Sequence, residues 1–207
     1  DKRTRDDPVL RVEMVAHHGT IDETELWADV LHVINPERDH RDFLGYAASQ
    51  PAIARMIDPL IGLHSFRFER LFDAVTVTLI EQQISLRSAQ LAERFLCAWG
   101  GESLDYGGRT YTTFPTVERI ASATVEDLTP MKITFIRMRR LIAIARQIVD
   151  GAIDLERWRD APPEVRYAGL VGLHGVGHWT AAWSIIRAAG EYVYIGRADV
   201  ALRTAVN

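Results

Sequence analysis

The stretch Leu173-His174-Gly175-Val176-Gly177-His178-Trp179-Thr180-Ala181 joins two segments of helical pattern through a turn of a few residues. Upstream, Asp160-Ala161-Pro162-Pro163-Glu164 opens a helix, since proline is tolerated in the first turn, and Val165, Leu170 and Val171 continue it. Downstream, Trp183, Ile185 and Ile186 carry a second helix to Gly190. So short a turn draws on the conformational freedom of glycine, and Val176 plugs the angle between the helices. The second helix starts with N–H groups that have no intrahelical partner, and its N-terminus carries partial positive charge. Such an end binds a phosphate without any basic side chain.

That property matters because the net charge is −4. Proteins that coat DNA electrostatically are basic overall, so a nucleic-acid contact here rests on local geometry and a few placed arginines. A chain of 207 residues buries one sizeable core, or one domain and a fragment of another. No apolar run approaches the ~20 residues of a membrane helix, and no secretory signal pattern opens the chain. The single cysteine, Cys97, excludes an internal disulfide framework and fits a reducing cytoplasm. Its neighbours Phe95, Leu96, Ala98 and Trp99 make it a buried structural thiol. The chain starts at Asp1 and stops at Asn207 within a helical pattern, and both ends read as incomplete.

Val9 to Ala16 alternates loosely and reads as an edge strand. Glu23 to Val33 reads as a short helix broken by Asn35-Pro36. The expected organisation is a partial N-terminal segment, 1–38, and one helical domain, 39–207, truncated at its C-terminal end. Helices are predicted over Glu69–Ile80 and Leu86–Trp99, the latter stopped by Gly100-Gly101 through a left-handed residue. A polar loop through Thr113 follows, and Pro115-Thr116 with Glu118 starts another short helix. Thr134 to Val149 places Met138, Leu141, Ile142, Ala145, Ile148 and Val149 on one face. Arg137, Arg139, Arg140 and Arg146 decorate the rest, read as a solvated face with phosphate contact as the alternative.

The order helix, LxGVGxWTA, amphipathic helix, extended Tyr192-Val193-Tyr194-Ile195-Gly196 and then Asp199 resembles the signature of the helix-hairpin-helix DNA glycosylase superfamily, from roughly Asp39 to Asn207. Three features are similar to its 3-methyladenine DNA glycosylase II branch. Branches that also cut the backbone carry a catalytic lysine two residues after the second hairpin glycine, where this chain has Trp179. Its two lysines, Lys2 and Lys132, lie far upstream and offer no Schiff-base nucleophile. Asp199 meets the family spacing of the catalytic aspartate. Leu79-Ile80-Glu81-Gln82-Gln83-Ile84-Ser85 resembles the stretch that wedges into the duplex, with Gln83 at the wedge position.

The resemblance implies an all-α fold of two helical subdomains with a groove between them, preceded by a remnant of a small β segment. It implies a monofunctional glycosylase that excises a flipped, alkylated base from double-stranded DNA, acting as a monomer in a prokaryotic cytoplasm or nucleoid and away from membranes. Asp199 would stabilise the charge that develops on the deoxyribose; it equally suits the N-cap of the helix after it, and the two roles are compatible. Trp179 and Trp183, one turn apart, correspond to base-pocket aromatics, with core packing as the alternative. Leu173, Gly175, Val176, Gly177 and Thr180 of the hairpin, Gln83 and Ser85 of the wedge, and Arg203 would contact DNA. No cofactor is implied beyond a monovalent cation on the carbonyls of Leu173 and Gly175, and His174 and His178 form no metal-ligand set. The acidic residue that often precedes the catalytic aspartate is Ala198 here, which leaves substrate range open. Three other readings stay open: a glycosylase for mismatched adenine, uracil or oxidised guanine, a non-catalytic DNA-binding hairpin module, and a helical protein-interaction domain.

Overall fold

The computed structural model describes residues 11–17, 19–36, 38–159, 161–194, 199 and 204. Contacts divide the chain into two units, one up to Phe66 and one from Arg67. In the first, α1 spans Glu23–Ile34, started by Asp22, whose carboxylate accepts from the N–H groups of Thr24 and Glu25 at 2.8 and 3.1 Å. Asn35, left-handed at φ 53°, ends it. Helices α2, Arg41–Ala48, and α3, Pro51–Ile57, follow with a 3₁₀ turn at Asp58–Leu60. His64 Nε2 lies 2.7 Å from the Ile34 carbonyl and ties the end of this unit to α1. The strand expected over Val9–Ala16 does not form over its described part, 11–16. A strand needs a neighbouring strand for its N–H and C=O groups; Val12, Met14 and Val15 stay exposed, and Val12 and Met14 border a hollow beside Leu26 and Trp27 of α1.

The second unit is built around α4, Leu71–Glu81, in which every residue from Leu71 to Ile80 is buried. Its apolar side chains fall on every side, with Asp73, Thr76 and Thr78 buried among them, so the helix is covered on all sides. Helix α5, Leu86–Gly100, packs beside it, followed by strands β1, Ser103–Tyr106, and β2, Arg109–Thr112. Helices α6, Val117–Ala121, and α7, Val125–Leu128, lead through a 3₁₀ turn at Thr129–Met131 to α8, Phe135–Val149, which packs on α6. Then come α9, Leu155–Arg159, α10, Pro163–Gly172, and α11, His178–Ala189, which lies against α4. Leu71, Phe72, Leu79, Leu96, Leu141 and Ile185 are sealed in its core. Among the described residues no helix is long and apolar enough to cross a membrane.

Two local expectations need correction. Helix α5 does not end on a left-handed glycine: Gly101 is extended, at φ −83° and ψ 164°. Glycine stands there because a Cβ would collide with the Thr113 carbonyl oxygen. That close approach belongs to the second correction. The polar loop through Thr113 is an antiparallel hairpin, paired from Ser103↔Thr112 to Tyr106↔Arg109. Gly107 and Gly108, both at positive φ, make the two-residue turn that suits the twist of such strands.

Helix α4 begins without a side-chain cap of its own, and Glu156 of α9 supplies an acceptor for the Phe72 N–H at 3.4 Å. One turn in, the buried Asp73 pairs with Arg70 at 2.9 Å. Burial pushes the Asp73 carboxyl up to about 6; Arg70 pulls it down, while Glu69 and Glu156 add to the rise. Because the folded protein then holds this proton more tightly than the unfolded chain, its contribution to stability is full below pH ~4 and is lost as pH rises through ~6. Asp73→Asn removes that titration. The stability difference, Asp73→Asn variant minus wild type, is expected to grow by roughly 2 kcal/mol from pH 4 to pH 7 in urea unfolding. A pH-independent difference would contradict it.

Candidate active site

The turn between α10 and α11 uses its residues in two ways. Leu173 and Val176 point inward, 6% and 4% exposed, and join the core, so Val176 is the plug that the sequence suggests. The Val176 N–H closes the turn on the Leu173 carbonyl at 3.0 Å. Gly175 sits at φ +87°, a conformation costly for any side chain. Gly177 differs, with an extended backbone (φ −88°, ψ 178°) that any residue adopts and open space where a Cβ would stand. Neither strain nor packing calls for glycine at 177. What its bareness provides is access to the first N–H groups of α11, which have no intrahelical partner.

Of the hairpin's DNA-contact candidates, Leu173, Val176 and Thr180 are buried. Thr180 Oγ1 accepts from Gln82 Nε2 at 2.8 Å. The same amide nitrogen donates to the Gly175 carbonyl at 3.3 Å. Gln82 therefore fastens the α4–α5 turn to the hairpin, a role with no signal in the local sequence. With Gln82 turned inward, Gln83 is left exposed and left-handed at φ 54°. Non-glycine residues in that region carry strain that clusters at functional sites. Ser85 caps α5, its hydroxyl accepting from the Ser88 N–H at 3.2 Å. The carbonyls of Leu173 and Gly175 each take one hydrogen bond within the chain, and the second lone pair of each is what a monovalent cation would use. Among the described residues no group of three or more His, Cys, Asp and Glu side chains is arranged to hold a metal.

Helix α11 ends on Gly190, left-handed at φ 67°, which turns the chain back. Two contacts hold the returning segment. Glu191 accepts from the buried Arg166 at 2.8 Å, and the Tyr194 ring stacks on Tyr167 of α10 at 3.9 Å between centroids. Beyond it, Asp199 is 9% exposed. Trp179 Nε1 donates to Asp199 Oδ2 at 2.8 Å, and Trp183 Nε1 donates to the same oxygen at 3.2 Å. The two indoles, 6.4 Å apart and inclined by 57°, thus grip one carboxylate oxygen from successive turns of α11. Trp183 is also 5.7 Å from the Arg187 guanidinium, which pairs with Glu81 and with Thr78 Oγ1 of α4. Three residues singled out from the sequence for separate reasons are one hydrogen-bonded unit. Arg203, expected to contact DNA, lies outside the described residues.

A carboxylate held by two N–H donors is equipped to stabilise a cation that develops beside it. No family model matches the chain. It is 30% identical over 152 residues to the DNA-3-methyladenine glycosylase of Bacillus subtilis, covering 73% of this chain and 50% of that protein. The structure of a 3-methyladenine DNA glycosylase from Archaeoglobus fulgidus superposes with a TM-score of 0.78 at 21% identity, over 91% of this chain and 64% of that one. An 8-oxoguanine glycosylase/lyase from Clostridium acetobutylicum, solved with DNA, superposes with a TM-score of 0.79 at 20% identity, over 90% and 63%. The chain thus spans half the length of the Bacillus relative and under two thirds of each of these two structures. The chain has the fold of these DNA glycosylases, and in sequence it is similar to the Bacillus 3-methyladenine enzyme over half of that protein.

Proposed function

We propose that the chain is a monofunctional DNA N-glycosylase that hydrolyses the glycosidic bond of an alkylated base such as 3-methyladenine. The observation that carries this reading is the convergence of the Trp179 and Trp183 N–H groups on one oxygen of Asp199. A base inside a duplex is out of reach, so the nucleotide must first be flipped out at a cost of a few kcal/mol. The exposed, left-handed Gln83 is the wedge that fills the vacated space, and Ser85 and the hairpin amides hold the backbone on either side. As the bond from C1′ to the base breaks, its electron pair leaves with the base and positive charge builds on the sugar. An alkylated purine that is already cationic departs neutral and needs no proton. Asp199 stabilises the sugar and accepts the proton of the water whose oxygen bonds to C1′.

The indoles serve this chemistry twice over, their N–H edges holding the carboxylate and their ring faces offering a surface for an electron-poor base. The lack of a lysine at position 179, and of any close to it in sequence, supports hydrolysis without strand scission. Residues 39–207 carry these elements, and a monovalent cation on the Leu173 and Gly175 carbonyls would add charge at the phosphate. The likeness to a bacterial glycosylase and the lone cysteine support action on duplex DNA in a bacterial cytoplasm or nucleoid, with a monomer as the proposed acting form. The test is base release from methylated duplex DNA by the full chain. The expected result is free 3-methyladenine, with strand breaks appearing only after alkali. Breaks without alkali would overturn the monofunctional reading, and tight binding with no release from a panel of lesions would favour a non-catalytic module.

A further inference from the structure

The four arginines of α8 look alike in sequence, and the structure sorts them. Arg139 is exposed, and Arg146 donates to the carbonyls of Ala121 and Ala123. Arg137 and Arg140, one turn apart, face inward instead. Arg137 is 7% exposed and reaches the Ile80 carbonyl at 3.5 Å, at the C-terminal end of α4. Arg140 is half-buried and lies across the hairpin, where a Cβ on Gly175 would collide with its Cδ and Nε. Its Nε is sealed from solvent and has no hydrogen-bond partner.

Among the described residues no carboxylate pairs with either guanidinium. Glu81, next to the acceptor of Arg137, is held by Arg187 at 2.6 Å. Burial, and then the charge of Arg140, lower the proton affinity of Arg137. A buried cation with a half-buried one beside it and no counter-charge is unfavourable on its own. An anion arriving from outside relieves that cost. The place it would arrive is set by the turn that Arg140 touches, whose first N–H groups and bare Gly177 already suit a phosphate.

We propose that Arg140 is a DNA phosphate-binding residue that closes, with the α11 N-terminal amides, around one backbone phosphate, and that Arg137 supports it through the positive field behind the hairpin. This rests on the reading above only in requiring that the hairpin grip DNA. It also gives Gly175 a second reason to be glycine, since any side chain there would displace the guanidinium.

The test is the salt dependence of binding to an abasic duplex, from about 50 to about 200 mM salt. Arg140→Met keeps the aliphatic stem against Gly175 and removes the charge; it is expected to weaken binding about tenfold and flatten the slope of log K against log salt by about 0.9. Arg140→Lys is expected to restore the slope, and Arg139→Met to keep more of the affinity than Arg140→Met does. An unchanged slope in a folded Arg140→Met overturns the proposal, even if affinity falls. So does a slope in Arg140→Lys as flat as that of the methionine variant. Gly177→Asp, which fits the fold and sets a carboxylate before the amides, tests the reading beneath. If wild type binds and Gly177→Asp does not while Arg140→Met behaves as wild type, only the arginine proposal falls. If wild type shows no salt-dependent binding, both fall.

Discussion

Asp199→Asn is expected to lower base release from alkylated duplex DNA by at least about 100-fold while duplex binding is kept. Asparagine has the same shape, and its carbonyl oxygen can still accept from the Trp179 and Trp183 indoles that now meet Oδ2 at 2.8 and 3.2 Å. The local fold is therefore preserved and the negative charge alone is lost. Without it the sugar develops positive charge against a neutral amide, and the attacking water loses its proton acceptor. Single-turnover release, measured beside binding to an abasic duplex, separates the two effects. Release within a few-fold of wild type would remove Asp199 from the chemistry and leave it the role of a helix cap.

Trp179→Phe is expected to slow release by roughly 10- to 100-fold, the rate equivalent of one hydrogen bond to a charged group. Phenylalanine keeps an aromatic face for a base and removes the N–H that holds Asp199 at 2.8 Å. A pure pocket role predicts that this variant retains most of its rate and changes its ranking of lesions. An orienting role predicts a uniform fall across lesions with the ranking kept. Trp183→Phe, losing the longer 3.2 Å contact, is expected to show the same pattern with a smaller effect. Unchanged rates in both variants would show that the carboxylate needs no indole to hold it.

Much of the second unit was legible from short-range pattern. The helical period placed α4, α5, α8 and α11 within a residue or two, because an amphipathic stripe needs only neighbours three and four apart. The turn between α10 and α11 was legible for the same reason, since Gly175 and Val176 act within their own turn. Arg137 offered a signal that went unused: it falls on the stripe of Leu141 and Ile144, and a charge on a buried stripe marks an inward-facing group. The hairpin over Ser103–Thr112 was missed although Gly107-Gly108 is a turn signal, because its strands are too short and polar to show alternation. The N-terminal strand failed in the opposite way, as alternation without a partner is not a strand.

By itself, then, the sequence determined the main helices of the second unit and where the tight turn between α10 and α11 lies. These properties come from backbone conformation and neighbours along the chain. Only the tertiary structure decided what each polar side chain does. Gln82 meets Thr180 from 98 positions away and Arg187 meets Thr78 across 109, so Gln82 latches the hairpin and Gln83 is left outward. The indoles of Trp179 and Trp183 turn their N–H groups to Asp199, and Arg140 turns to the hairpin while Arg139 stays in solvent. A hydrogen bond or an uncompensated charge is settled by which distant groups the packed core brings within about 3 Å, and no local pattern encodes that distance.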